Sequence, residues 1–143
     1  MKCSSFTIEG YYGNLISKKV GDQYFNELLI QFSGEPNTNI NRFCKFGKKP
    51  CPANLQSIVD IIKCRSVSLF LTGVNSEGTP AATAPAIVLY NRKVDNLQAT
   101  IFEENQLLIT FFNPTEIAEI NLQEYIGELF NLEYLPNVFL FLT

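Results

Sequence analysis

A run of cations interleaved with aromatic residues is the part of this sequence best equipped for chemistry. Lys18 and Lys19 stand just ahead of a Gly21-Asp22 turn, with Tyr24 and Phe25 just after it. Arg42, Lys45, Lys48 and Lys49 crowd around Phe43, and Lys63 and Arg65 follow. No acid lies between Glu35 and Asp60, so that segment carries a charge of +4. Positive side chains that track a phosphate backbone, set among ring faces on which bases stack at about 1–3 kcal/mol each, are what sequence-independent binding of single strands requires. Tyr11, Tyr12 and Tyr90 are further aromatic candidates. In RFCKFGK, Phe43 and Lys45 alternate onto one face of an expected strand, with Cys44 and Phe46 on the other. If Cys44 and Phe46 face the core, Phe43 and Lys45 form a stacking and charge pair. The opposite facing buries Phe43.

Other chemistries find little support. The chain has no histidine, which removes the commonest general base, the Ser-His and Cys-His nucleophile pairs and any His-bearing zinc site. Cys3, Cys44, Cys51 and Cys64 fit no paired C-x-x-C spacing and read as reduced thiols used as small apolar groups. GNLISKK and SEGTP lack the Walker pattern of a phosphate loop, and the adjacent Glu103 and Glu104 sit at an expected hairpin turn. The expectation is a binding protein with no catalytic residues, no cofactor and no metal.

Charge is divided by position. All 11 basic residues lie at or before Lys93, whereas residues 94–143 hold 8 of the 14 acids. The front sums to +5 and the back to −8, behind an overall charge of −3. The basic part suits an anionic partner. The acidic part either competes for that basic surface, docks on another subunit or a basic protein, or is simply the solvent face of a helix and hairpin. An ordinary surface mixes both signs, and the last reading leaves the lack of Lys and Arg unexplained. With 46% hydrophobic and 17% charged residues the chain has material for a core. No apolar run approaches the ~20 residues of a membrane span, and no continuous apolar stretch follows Lys2, so the expected location is the cytoplasm without a membrane partner.

The elements that must position these residues are mostly strands. Residues 5–33 read as a hairpin turning at Gly21-Asp22, with Gly10 and Gly13 marking a bulge or coil in its first arm. Residues 42–48 form a short strand. Leu55, Ile58, Val59 and Ile62 recur at helical spacing within 53–64, with Pro52 near the first turn. Strands follow at 66–73 and 86–91. Beyond Lys93 the pattern gives a second hairpin turning near Glu104-Asn105. A helix then opens at Asn113-Pro114 with a stripe of Ala118, Leu122, Tyr125, Leu129 and Leu132, interrupted at Gly127, and a terminal strand closes the chain.

The order strand, strand, strand, helix, strand, strand up to residue 91 is that of the OB-fold, a five-stranded Greek-key barrel. Three stretches in that order also resemble the bacterial-type single-stranded DNA-binding proteins: YYGNL at 11–15, NRFCKFGK at 41–48, and the helix followed by KCRSVSLFLTG at 63–73. The resemblance spans roughly residues 5–92. It departs from the family in having no Trp at the stacking positions, and in an acidic C-terminal part that reads as folded rather than as a flexible tail. It implies a mostly β protein: an OB-fold barrel with one helix over 1–93, and an acidic α+β extension over 94–143. It further implies a nonspecific single-stranded DNA-binding protein of the replication type, acting as a homo-oligomer. The expected contacts are Lys18, Lys19, Tyr24, Phe25, Arg42, Phe43, Lys45, Lys48, Lys49 and Arg65. The alternative is a protein-binding module whose acidic half contacts a basic partner.

Overall fold

A computed structural model describes residues 1–33, 44–45, 54–64, 67–75, 81–91, 97–103 and 105–142. The chain is mostly β, in two sheets with few helices. Three strands open it: β1 (Lys2–Ile8), β2 (Tyr11–Val20) and β3 (Gln23–Phe32). They form an antiparallel meander, so the expected single first arm is two strands. The reason is Gly10. It adopts φ 102, a conformation essentially reserved for glycine, and its carbonyl accepts from Ser33 N at 2.9 Å. Gly13 serves close approach instead: an added Cβ would lie 2.1 Å from Phe6 Cζ. The β2–β3 turn falls at Gly21-Asp22 as the sequence indicates, with Gly21 at φ 62.

Next come β4 (Cys44–Lys45), α1 (Leu55–Cys64), β5 (Val67–Val74) and β6 (Ala86–Tyr90). The α1 stripe is as read, with Leu55, Ile58, Val59 and Ile62 all buried. Its cap is Asn54, whose Oδ1 accepts from Ser57 N at 2.9 Å. Pro52 lies outside the described residues.

Residues beyond 94 supply β7 (Gln98–Phe102), β8 (Gln106–Asn113), a 3-10 helix (Ile117–Glu119), α2 (Leu122–Asn131) and β9 (Leu135–Leu142). The expected helix start at Asn113 is displaced. Asn113 Oδ1 accepts from Thr115 N at 2.8 Å in a local turn, and its amide donates to Leu89 O at 3.0 Å. The chain re-extends at Ile120, and Asn121 is the true cap, accepting from Glu124 N. The buried face of α2 is Leu122, Ile126 and Leu129, and Leu132 is exposed. Gly127 does not interrupt the helix.

The pairing changes the expected architecture. One sheet runs β1-β2-β3-β8-β7, antiparallel throughout. The other runs β4-β9-β5-β6, with β4 parallel to β9. Among the described residues neither sheet closes into a barrel, and β3 and β5 take their further partners, β8 and β9, from the acidic half. The boundary expected at 93/94 therefore does not separate two cores. Phe6, Leu15, Leu28 and Leu69 share one buried cluster with Leu107, Ile109, Phe111 and Val138. Charge composition marks a change of surface there, while apolar alternation, which builds the core, continues across it.

Two polar links fasten these layers. The buried Tyr11 hydroxyl donates to Asn137 Oδ1 at 2.8 Å and accepts from Val138 N at 2.7 Å, joining β2 of one sheet to β9 of the other. Ser17 donates to Asn26 across the β2–β3 pair and accepts from Ala118 N at 3.1 Å, holding the 3-10 helix on the hairpin. At the β1 edge, Thr7 N donates to Gln123 of α2 at 2.7 Å, so part of that edge is capped by a side chain.

Candidate nucleic-acid interface

Strand alternation gives the first sheet two unlike faces. One is the core face, with Phe6, Leu15, Leu28, Ile30, Ile109 and Phe111 all buried. On the other, every residue is exposed or half-buried. The register sets its side chains in rows. Lys18 lies opposite Phe25, and Phe25 opposite Phe112. Two pleats further on, Asn14, Leu29, Leu108 and Thr100 form a cross-sheet row. At the far end come Tyr12, Gln31, Gln106 and Phe102.

Phe25 and Phe112 contact each other, with ring centroids 5.2 Å apart and planes tilted by 52°. Tyr12 and Phe102 are 42% and 47% exposed, unusual for such large rings. From Phe25 to Gln31 the strand rises about 20 Å, so ring faces stand at both ends of a track. Between them lie amides and hydroxyls able to donate and accept, around the half-buried Leu29 and Leu108. The charged residues of this face are Lys18 and Glu27, which leaves it close to neutral.

The sequence-derived residues divide accordingly. Lys18 and Phe25 come together on the open face. Lys19 and Tyr24 pair with each other on the opposite face of the hairpin tip. There the acidic half reaches Tyr24, with Glu116 and Glu119 acting on its hydroxyl. Burial, then the charges of Glu116 and Glu119, push the Tyr24 pKa above its ordinary value. Tyr24 is thus engaged within the chain and does not extend the open row. Lys45 stands on β4, in register with Phe141 of β9. Arg42, Phe43, Lys48, Lys49 and Arg65 lie outside the described residues.

Phe102 and Phe112 were not anticipated, and Tyr12 was one aromatic candidate among several. The signal was the alternation in QATIFEENQLLITFFN. It shows which residues share a face, but not that this hairpin joins β3. The other aromatic candidates are internal. Tyr11 and Tyr90 are buried, Tyr11 tilted against Phe32 at 5.8 Å and Tyr90 edge-on to Phe111 at 5.6 Å.

Among the described residues no group of three or more His, Cys, Asp or Glu is placed to hold a metal ion, and no helix is long and apolar enough to cross a membrane. The described free thiol is Cys3, which is exposed, with its Sγ 3.4 Å from Asn14 Oδ1. Comparison with family models, with curated proteins and with solved structures finds no match to this chain.

Proposed function

We propose that the protein binds single-stranded DNA, without sequence preference, on the open face of the first sheet. The observation that carries this reading is the row Lys18–Phe25–Phe112, a cation beside two rings on a sheet face whose residues are all exposed or half-buried, with Tyr12 and Phe102 at the far end. A sheet that offers rings for base stacking and amides for adaptable hydrogen bonds is a recurrent way of holding single strands. Phosphate contacts would come from Lys18, and the sequence reading adds Arg42, Lys48, Lys49 and Arg65. DNA as the strand type, kinship with OB-fold proteins and assembly into a homo-oligomer rest on the sequence resemblance. The element order β2, β3, β4, α1, β5, β6 favours that kinship; the partners of β3 and β5 do not. The binding reading needs the open face and not the barrel.

The test is a titration of fluorescently labelled oligo-dT at low salt, followed by anisotropy. Loss of a stacking ring is worth ~1–3 kcal/mol, so Phe25→Ala or Phe112→Ala should weaken binding by about 5- to 150-fold. Lys18→Ala should lower both the affinity and its salt dependence, by about 0.7 in the log–log slope if it meets one phosphate. Tyr24→Phe, on the other face, should bind as the unaltered protein does. A flat titration rules the reading out.

A further inference from the structure

The turn between α2 and β9 holds three large apolar side chains in water within six residues: Phe130 is 54% exposed, Leu132 52% and Leu135 45%. This is not a frayed helix end. Glu133 N donates to Phe130 O at 3.0 Å and Tyr134 N to Leu129 O at 3.2 Å, the paired bonds of a Schellman cap. Glu133 occupies the left-handed position of that cap at φ 64, where glycine is usual. Tyr134 then anchors the exit. Its side chain lies so close to Gly73 that an added Cβ there would meet Tyr134 Cβ at 2.4 Å, and its hydroxyl shares a hydrogen bond with Thr83. The three apolar groups are displayed on a locked backbone, which lowers the ordering cost of binding anything to them.

The electrostatics of the turn specify the partner. A helix C-terminus is the negative end of the backbone dipole and is ordinarily complemented by Lys or Arg. The last turn of α2 has none. Glu128 and Glu133 are exposed at this end, and residues 94–143 contain no cation to offset them. Exposed carboxylates and the negative end of the helix dipole thus accompany the apolar side chains of this turn, a combination that repels nucleic acid and anionic lipid alike.

We propose that the C-terminal end of α2 and the turn into β9 dock a basic amphipathic segment of a partner protein. Its apolar side chains cover Phe130, Leu132 and Leu135, and its Lys or Arg side chains meet Glu128 and Glu133. This surface stands apart from the open sheet face and does not depend on the nucleic-acid reading.

The probe is a fluorescein-labelled synthetic peptide of Lys and Leu at helical spacing, titrated with the full chain. A scrambled peptide of identical composition and a Glu/Leu peptide serve as references. The unaltered protein should bind the patterned Lys/Leu peptide best. Phe130→Ser with Leu132→Ser, and separately Glu128→Lys with Glu133→Lys, should each weaken it by at least about tenfold. The charge-reversed protein should in addition gain affinity for the Glu/Leu peptide, which a purely structural defect would not produce. If the Ser variant fails to fold, the charge-reversed one decides. Equal loss on Glu103→Lys, away from the turn, would mean that only net charge is sensed and overturns the proposal, as does equal binding of the scrambled peptide. Self-association of the unaltered chain that is abolished by the Ser variant also overturns it, assigning the patch to a second copy.

Discussion

Replacing Tyr11 by Phe removes one oxygen atom and should cost the whole protein about 3 kcal/mol. The ring is 1% exposed and tilted against Phe32, so its packing survives the change. The hydroxyl is the partner of two groups on β9, Val138 N and Asn137 Oδ1, on residues 0% and 3% exposed. Without it a buried amide and a buried carboxamide oxygen are left unsatisfied. Each such group costs roughly 1–3 kcal/mol, and partial relaxation of the Asn137 side chain keeps the sum in the lower half of that combined range. In a chain of this size ~3 kcal/mol lowers Tm by about 6–12 °C. Calorimetry and urea unfolding measure this directly, and the urea slope should stay unchanged because the surface exposed on unfolding is the same. Because the hydroxyl joins the two sheets, a single cooperative transition should shift as a unit. A change under about 2 °C, or two transitions of which one alone moves, would refute the argument that this bond ties both sheets into one core.

Three further outcomes follow from local geometry. Gly13→Ala places a methyl 2.1 Å from the buried Phe6 ring and should destabilise by about 1–3 kcal/mol, visible as a lowered urea midpoint. Tyr24 has a folded-state pKa above its unfolded value, so its neutral form is the favoured one; that stabilisation is complete below about pH 10 and is lost as pH rises through the folded pKa. Urea midpoints should therefore fall more steeply in the alkaline range for the unaltered protein than for Tyr24→Phe. Glu133→Gly relieves a left-handed residue and should raise stability by about 1 kcal/mol, or roughly 2–4 °C in Tm, while weakening binding of the Lys/Leu peptide.

Local features were well written in the sequence and long-range ones were not. The α1 stripe, the Gly21-Asp22 turn, β5, β6 and the β7–β8 hairpin follow from spacing and turn residues close to one another in the chain. Gly10 and Gly13 look alike in a strand pattern, yet one makes a turn and the other a seat for a ring. Only the Ser33 bond and the Phe6 contact, both nonlocal, distinguish them. Asn113 and Asn121 are equally good caps by residue type, and the capture of the Asn113 amide by Leu89 decides which one starts the helix. The open face was half legible: Lys18 and Phe25 follow from β2–β3 pairing, whereas Phe112 and Phe102 depend on which strand β8 chooses. Strand partner choice lies in the complementarity of distant apolar faces, and the shift in charge at residue 93 gave no guide to it.

The placement of β8 and β9 has a consequence for how the molecule comes into being. Neither is an edge strand: β8 lies between β3 and β7, and β9 between β4 and β5. A chain emerging from the ribosome can close the β1–β3 meander and the β5–β6 pair early, but each sheet lacks an interior strand until much later residues arrive. Until β8 and β9 are available, β3 and β5 expose unpaired backbone of the kind that recruits other chains. Completion of the second sheet then waits on β9, and the chain needs either rapid closure once β9 arrives or an escort during the interval before it.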